Sequence, residues 1–398
     1  MSPLPHGIRG VVRALADDPT QGIANHLHIE KQAPPDPASL AAHDVIIAVK
    51  SACVSWVDAL MTSGQYQHMP KLPYTPGLEY SGVVAWCGAD VDPARIAVGD
   101  EVYADGFQVG PRTSGAYQQW GGFASYAVAP VRAVIPKPPS LSFDQACNFA
   151  GSYETAWHCL VACANLQPGE TILIHGASGA TGLAAVQLAK ALGATVIATG
   201  RTRSKLEVVA QHGADHILTL ANEDGSPGVR RFRDDVKALT EGAGADVVYD
   251  AVGGDISLES LRCVKFGARF LIVGWAATPA VAKGKGGRGA PNANLLPTNL
   301  IMMKGLKVLG CPMVISTQKD PSIRPPRVQH LKALAAEGKL APHISHTFSL
   351  QEAAAAVHAR WTGKVIGGCA VNPPALPGLP SAKVVPIKKT KARNDEPW

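Results

Sequence analysis

The chain has no apolar stretch long enough to cross a bilayer. A spanning helix needs roughly 18 or more consecutive apolar residues, and nowhere in the 398 residues is such a run found. Met1 to Ile8 also lack the charged-then-apolar layout of a secretory signal. The expectation is a cytoplasmic protein, an organellar one staying open because a cleaved transit sequence would not be seen. Disulfide spacing is missing too. The eight cysteines, at 53, 87, 147, 159, 163, 263, 311 and 369, form no C-x-x-C pair, so they read as reduced thiols, mostly buried. Cys159 and Cys163, one helical turn apart beside His158, read as helix packing rather than half a metal site. Charge is sparse as well. The net charge is +6, and Pro373 to Trp398 holds five Lys/Arg against two acids, half of the excess. A nearly neutral body excludes an extended nucleic-acid surface.

What is present is enough chain for two ordinary cores. From Gly7 to about Ala129, short β-rich segments (His26–Glu30, Asp44–Lys50, Gly82–Cys87) alternate with Pro/Gly turns and show no sustained helical period. This predicts a compact, irregular β barrel. A glycine-rich loop, Asp105 to Phe123, carries aromatics and is either a lid or a surface excursion. After Ser142 strand and helix alternate, the pattern of a doubly wound parallel α/β sheet, with strands expected at Thr171–His175, Thr195–Thr199, His216–Leu218, Val247–Asp250, Arg269–Val273 and Leu306–Leu309. The K-G-K-G-G-R-G stretch that begins at Lys283 reads as a flexible basic loop. A helix from about Arg327 ends at Gly338, another opens at the Ser349–Glu352 capping box, and a short β segment, Lys364–Val371, closes the body. The division expected is a barrel of 1–147 with 340–372, a nucleotide domain of 148–339, and a flexible Pro-rich basic tail of 373–398.

The informative stretch is T-I-L-I-H-G-A-S-G-A-T-G (171–182), in which Gly176, Gly179 and Gly182 sit between a strand and a helix. A tight turn there needs small residues, and the helix N-terminus offers free N–H groups to a pyrophosphate. Ser178, Ala180 and Thr181 belong to the same turn. The next strand should end in Asp or Glu if the cofactor ribose has a free 2′-hydroxyl. Instead it runs Gly200-Arg201-Thr202-Arg203-Ser204-Lys205. Cations and hydroxyls bind a 2′-phosphate that a carboxylate would repel, so the expected cofactor is NADPH, held by Arg201, Thr202 and Lys205.

Further segments carry a resemblance: P-Y-T-P-G-L-E-Y-S-G-V-V (73–84), V-G-D-E-V (98–102), L-G-A-T-V-I-A-T-G (192–200), D-V-V-Y-D-A-V-G-G (246–254) and T-G-K-V-I-G-G (362–368). With the turn above, the chain resembles the zinc-independent quinone oxidoreductase branch of the medium-chain dehydrogenase/reductase superfamily, from about Gly7 to Val371. The resemblance implies a Rossmann-type nucleotide domain, a GroES-like barrel and a homodimer. Where zinc-dependent relatives place Cys, His and Cys, this chain has Ser55, Leu78 and Gly151, so no metal is expected. Ser55, Val252, Gly253, Gly274, Asn299 and Lys364 fall at positions that approach the cofactor. Tyr66 stands where enoyl-thioester reductases have their active-site tyrosine, and is the candidate proton donor or nicotinamide-positioning residue. Trp56, Tyr74, Trp120, Phe123 and Trp275 supply apolar surface for a cleft. The implied activity is metal-free hydride transfer to a small apolar quinone or α,β-unsaturated carbonyl. The alternatives are an enoyl-CoA or enoyl-ACP reductase, or an NADPH-binding structural subunit docking through its tail.

Overall fold

The computed structural model describes residues 4–66, 68–222, 224–276 and 294–379. The basic loop beginning at Lys283 and the residues 380–398 lie outside these. Near the N-terminus β1 (Gly7–Val12) pairs antiparallel with β2 (Leu27–Gln32). The barrel is organised around β3 (Asp44–Cys53), almost wholly buried. It pairs antiparallel with β4 (Tyr80–Cys87) on one side and β6 (Tyr126–Pro130) on the other. β5 (Glu101–Ala104) and β7 (Val134–Pro136) extend the β4 side.

Two helices interrupt this β-rich region, against the expectation of none: Pro19–His26 and Trp56–Met61. Both are too short for a helical period to register, and their starts are set by local chemistry. Asp18 caps the first ahead of Pro19, while Ser55 and Asp58 form a capping box on the second. The glycine-rich loop, read as either a lid or a surface excursion, is tied down at both ends. Asp105 joins a buried ion-pair cluster, and Phe123 is fully buried.

The second sheet is parallel, in the order β10 (His216–Thr219), β9 (Thr195–Gly200), β8 (Thr171–Ile174), β11 (Ala245–Asp250), β12 (Val264–Ile272), β13 (Lys307–Gly310). The chain leaves β8 to build outward through β9, then returns to β8's other side as β11. This order puts a topological switch point at the carboxyl ends of β8 and β11. Both faces are covered, since Ile172 and Ile174 pack into one apolar cluster and Leu173 into another. β14 (Ile344–Ser349) and β15 (Gly368–Asn372) then rejoin the barrel, where Ala370 and Val371 pair with Cys53 and Ala52 of β3. Beyond Asn372 the chain first stays on the body, with Leu376 and Leu379 packed against Ile46, Ala48, Ala85, Tyr126 and Val128.

A buried ionic cluster joins barrel to nucleotide sheet. Arg324 grips Glu154 at 2.9 and 3.0 Å and also bonds Asp105, while Arg327 donates to Glu154 at 2.6 Å and to Thr317 at 2.9 Å. Asp105 and Glu154 are each 1% exposed, so removing one partner strands a buried charge.

Candidate active site

The nucleotide turn sits at the switch point. Gly176 has φ of +66°, and a β-carbon on Gly182 would lie 2.3 Å from the Gly176 carbonyl oxygen, so both positions exclude other residues. Gly179 is the N-cap of the helix Ala180–Ala191 and makes no side-chain cap bond. The first-turn N–H groups, around Ala180, Thr181 and Gly182, are thereby free of a capping side chain. Ser178 contributes its carbonyl, which accepts from the Gly367 amide at 2.8 Å. The closing T-G-K-V-I-G-G segment is thus fastened onto the turn. Arg360 fastens it again, donating to Val54 O at 2.9 Å and Gly367 O at 2.8 Å.

At the end of β9, Arg201 and Thr202 are exposed and Lys205 is half-buried. Lys205 donates to the Gly363 carbonyl, and a β-carbon on Gly363 would lie 3.8 Å from the Arg201 guanidinium. Burial, then the neighbouring Arg201, push the Lys205 pKa down. Lys364 is exposed in the same turn, so cations from two parts of the chain converge here. Thr202 N-caps the next helix without a side-chain cap bond, and Arg203 pairs at 3.3 Å with Glu207.

The end of β11 is held by Asp250, which accepts from the amides of Val252 and Gly253, each at 2.9 Å, and from Ser257 Oγ. Asn294 donates to Ser257 Oγ at 3.1 Å and accepts from Gly254 N at 3.3 Å. Trp275 lies beside Gly253, its Cα 3.6 Å from where a β-carbon there would be, and is half exposed. Gly274 backs onto Ala251. Asn299 is exposed on the helix Thr298–Met303, and Asn294, missed in the sequence for want of a motif, is the asparagine at this strand end.

On the barrel side Ser55 is an N-cap before it is anything else. Its hydroxyl donates to Asp58 Oδ2 at 2.7 Å and its amide to the same oxygen at 2.8 Å. Asp58 Oδ1 accepts from Gly77 N at 2.9 Å. Trp56 packs against Trp361 with the rings tilted by 36° and their centroids 4.5 Å apart, and Tyr66 is half-buried, edge-on to His68. Two expected cleft residues belong to the barrel core instead: Phe123 is 0% and Tyr74 3% exposed. Phe123 packs under Gly10 and Gly77, so both aromatics fill the interior that the closed barrel needs. Trp120 is half-buried against that core.

Zinc chemistry finds no donors at the three positions. Ser55 is committed to Asp58, Leu78 is aliphatic and 4% exposed, and a β-carbon on Gly151 would meet Glu79 Oε1 at 2.5 Å. The Glu79 carboxyl occupies the space that a side chain at 151 would need. Among the described residues no cluster of His, Cys, Asp and Glu is arranged to hold a metal ion. A groove of about 750 Å³, lined by residues including Asp144, Gln187, His212, Lys339 and His343, shares no residue with the nucleotide turn.

Residues 41–139 match the alcohol dehydrogenase GroES-like domain family and residues 180–324 the zinc-binding dehydrogenase family. A quinone oxidoreductase-like protein 2 homolog of Nematostella vectensis is 34% identical over 334 residues, 82% of each chain. The chain belongs to the medium-chain dehydrogenase/reductase superfamily. Within that superfamily it is similar to the quinone oxidoreductase-like proteins, consistent with the zinc-independent branch. It is also 29% identical over 366 residues to a phenolphthiocerol/phthiocerol polyketide synthase chain of Mycobacterium tuberculosis, matching 92% of this chain and 15% of that one. A probable oxidoreductase from Mycobacterium abscessus superposes with a TM-score of 0.74 at 25% identity, over 93% of this chain and 99% of that one. Membership makes this an oxidoreductase built for a nicotinamide cofactor. Gly176 to Gly182 and the strand ends around Gly253 are the elements that fit such a cofactor.

Proposed function

We propose that this member of the superfamily is an NADPH-dependent, metal-free reductase of quinones or α,β-unsaturated carbonyls. The observation that carries the reading is the barrel-side donor set: a capped serine, a leucine and a glycine filled by Glu79. Without a Lewis acid at those positions, the favoured acceptors are those that spread the incoming charge by conjugation. The convergence of Arg201, Lys205 and Lys364, with no carboxylate at the strand end, favours a 2′-phosphate.

NADPH, when bound, supplies the hydride. The chain's own residues do the rest. The glycine turn presents N–H groups to the pyrophosphate, and the Asp250–Ser257–Asn294 set fixes the backbone where the nicotinamide end would lie. To Tyr66 we assign the hydrogen bond to the acceptor oxygen as negative charge develops. The substrate is a small apolar molecule. The partner is a second copy of the chain, through the edge of the nucleotide sheet.

The likeness to a polyketide synthase favours one second reading, reduction of an enoyl thioester. An assay panel tests both, following oxidation of NADPH and of NADH with a quinone, an enal and an enoyl-CoA. Turnover with the first two at a preference for NADPH is expected. Turnover confined to the thioester selects the second reading, and no turnover at all overturns both.

A further inference from the structure

We infer that Arg360 is a positioning residue, a side chain that holds the glycine turn of the nucleotide domain and the Ser55 segment of the barrel in one geometry. The inference rests on the reductase reading above, in which the turn holds NADPH and the barrel supplies groups around the acceptor.

Arg360 lies near the end of the helix Ala353–Trp361 and is 8% exposed. Its guanidinium holds two backbone carbonyls at once, Nε donating to Val54 O at 2.9 Å and Nη1 to Gly367 O at 2.8 Å. Each carbonyl belongs to a segment that is itself pinned. Val54 runs directly into Ser55, the N-cap of the helix Trp56–Met61, and the Val54 amide donates to Cys369 O at 2.9 Å. The Gly367 amide donates to Ser178 O at 2.8 Å, and Gly367 bridges Gly179, the N-cap of the helix Ala180–Ala191. One guanidinium therefore reaches from the residue before Ser55 to the residue bonded to the nucleotide turn. Gly367 has φ of +61°, and a β-carbon there would lie 2.5 Å from His343 O and 3.1 Å from Leu183 Cδ2. The backbone offering this carbonyl is thus held close against the helix that the turn opens.

The charge of Arg360 is the second observation. Among the described residues no carboxylate pairs with it, and its buried Nη2 has no acceptor. Asp58, an acid whose charge bears on it, directs Oδ2 to the Ser55 amide and hydroxyl and Oδ1 to the Gly77 amide. An apolar side chain would fill the same space without burying an unpaired cation. What the guanidinium adds is geometry, because its planar fork fixes two acceptors relative to one another, as a flexible ammonium does not.

The same segment touches both domains again. Trp361 packs on Trp56, and the Gly363 carbonyl accepts from Lys205. A displacement of the turn is passed through Gly367 and Arg360 to Val54, and so to the start of the helix that Ser55 caps. Transfer of a hydride is sensitive to such placement, since an error of about 1 Å between reacting groups slows a step by roughly 100-fold.

Hydrogen exchange and kinetics on the full chain test this together. In the wild type, NADPH is expected to slow amide exchange in residues 176–182 and also in residues 54–61, across the domain boundary. In Arg360→Met the protection at 176–182 should remain and that at 54–61 should be lost. The NADPH dissociation constant should stay within a few-fold of the wild type, because the glycine turn, Arg201 and Lys205 are untouched. The value of kcat for enone reduction at saturating NADPH should fall roughly 100-fold. Arg360→Lys keeps the charge without the fork and should lie between the two in both readouts; it carries the test if the Met variant fails to fold. A purely structural arginine would lower the melting temperature and leave kcat and the 54–61 protection of the folded enzyme as they were. Either of these unchanged in the folded variant overturns the inference and leaves the reductase reading standing, as does a wild type in which NADPH protects 176–182 alone. No turnover by the wild type with any acceptor overturns the reductase reading, and the exchange data then decide by themselves whether Arg360 links the two segments.

Discussion

The cation pair at the end of β9 carries the proposed preference for NADPH. Arg201 and Lys205 press two like charges together beside the Gly363 carbonyl, and burial first, then the neighbouring guanidinium, lowers the lysine pKa. A phosphate dianion relieves that repulsion through charge-assisted hydrogen bonds, each worth about 1.5–3 kcal/mol. The double change Arg201→Glu with Lys205→Glu is therefore expected to raise the NADPH dissociation constant by roughly 100-fold or more, with little effect on NADH. Titrations of protein fluorescence with the two cofactors check it, and equal weakening of both would remove the phosphate from this site. These cations were legible because the strand that should end in a carboxylate ends in Gly200 and Arg201. Glu79 and Asn294 were not. A glutamate before a strand and an asparagine in a Pro/Leu-rich stretch look like surface residues until the fold places them against Gly151 and Gly253.

At the scale of elements, the carboxyl ends of the strands are latched from below by His175. It follows β8, and its Nδ1 and Nε2 each lie 2.7 Å from a hydroxyl, that of Thr199 on β9 and that of Ser260 on the helix Asp255–Ser260. The ring is fully buried. Burial pushes its pKa down to about 4, against a smaller upward pull from Asp250. The imidazole is therefore neutral in the fold but gains a proton near pH 6.5 once the chain unfolds. Between about pH 6.5 and 4 the unfolded state binds more protons, so stability is full above that window and drains as pH falls through it, by about 3 kcal/mol at most. Melting temperatures from pH 7 to 4.5 should fall more steeply for the wild type than for His175→Gln, and parallel falls would discount the latch. Elements of this kind were largely readable. Strands β8 to β13 lie within a few residues of their apolar runs, because a sheet covered on both faces makes each strand apolar on both sides. The helices Pro19–His26 and Trp56–Met61 were unreadable by period, since six to eight residues make about two turns and only their caps, Asp18 and Ser55, signal them.

At the scale of the whole molecule, the β13 edge of the parallel sheet stands out among the described residues. β13 closes the parallel sheet, pairing with β12 alone, and Lys307, Val308 and Gly310 on it are exposed. Beside it Phe266 lies over Gly305, 82% exposed, near Met302 at 73% and Met303 at 68%. An open strand edge beside apolar side chains is a template for another chain, and a soluble monomer would blunt it with charge or cover. A second copy related by a two-fold axis satisfies both needs, because the same edge then pairs with itself and the sheet continues across the interface. Sedimentation velocity should accordingly show the wild type as a dimer. Met303→Asp with Val308→Lys, which set charge on the edge and its flank without touching the nucleotide turn, should sediment as a monomer that still binds NADPH. A wild type that sediments as a monomer would refute the interface, and a double variant that stays dimeric would move it elsewhere on the surface.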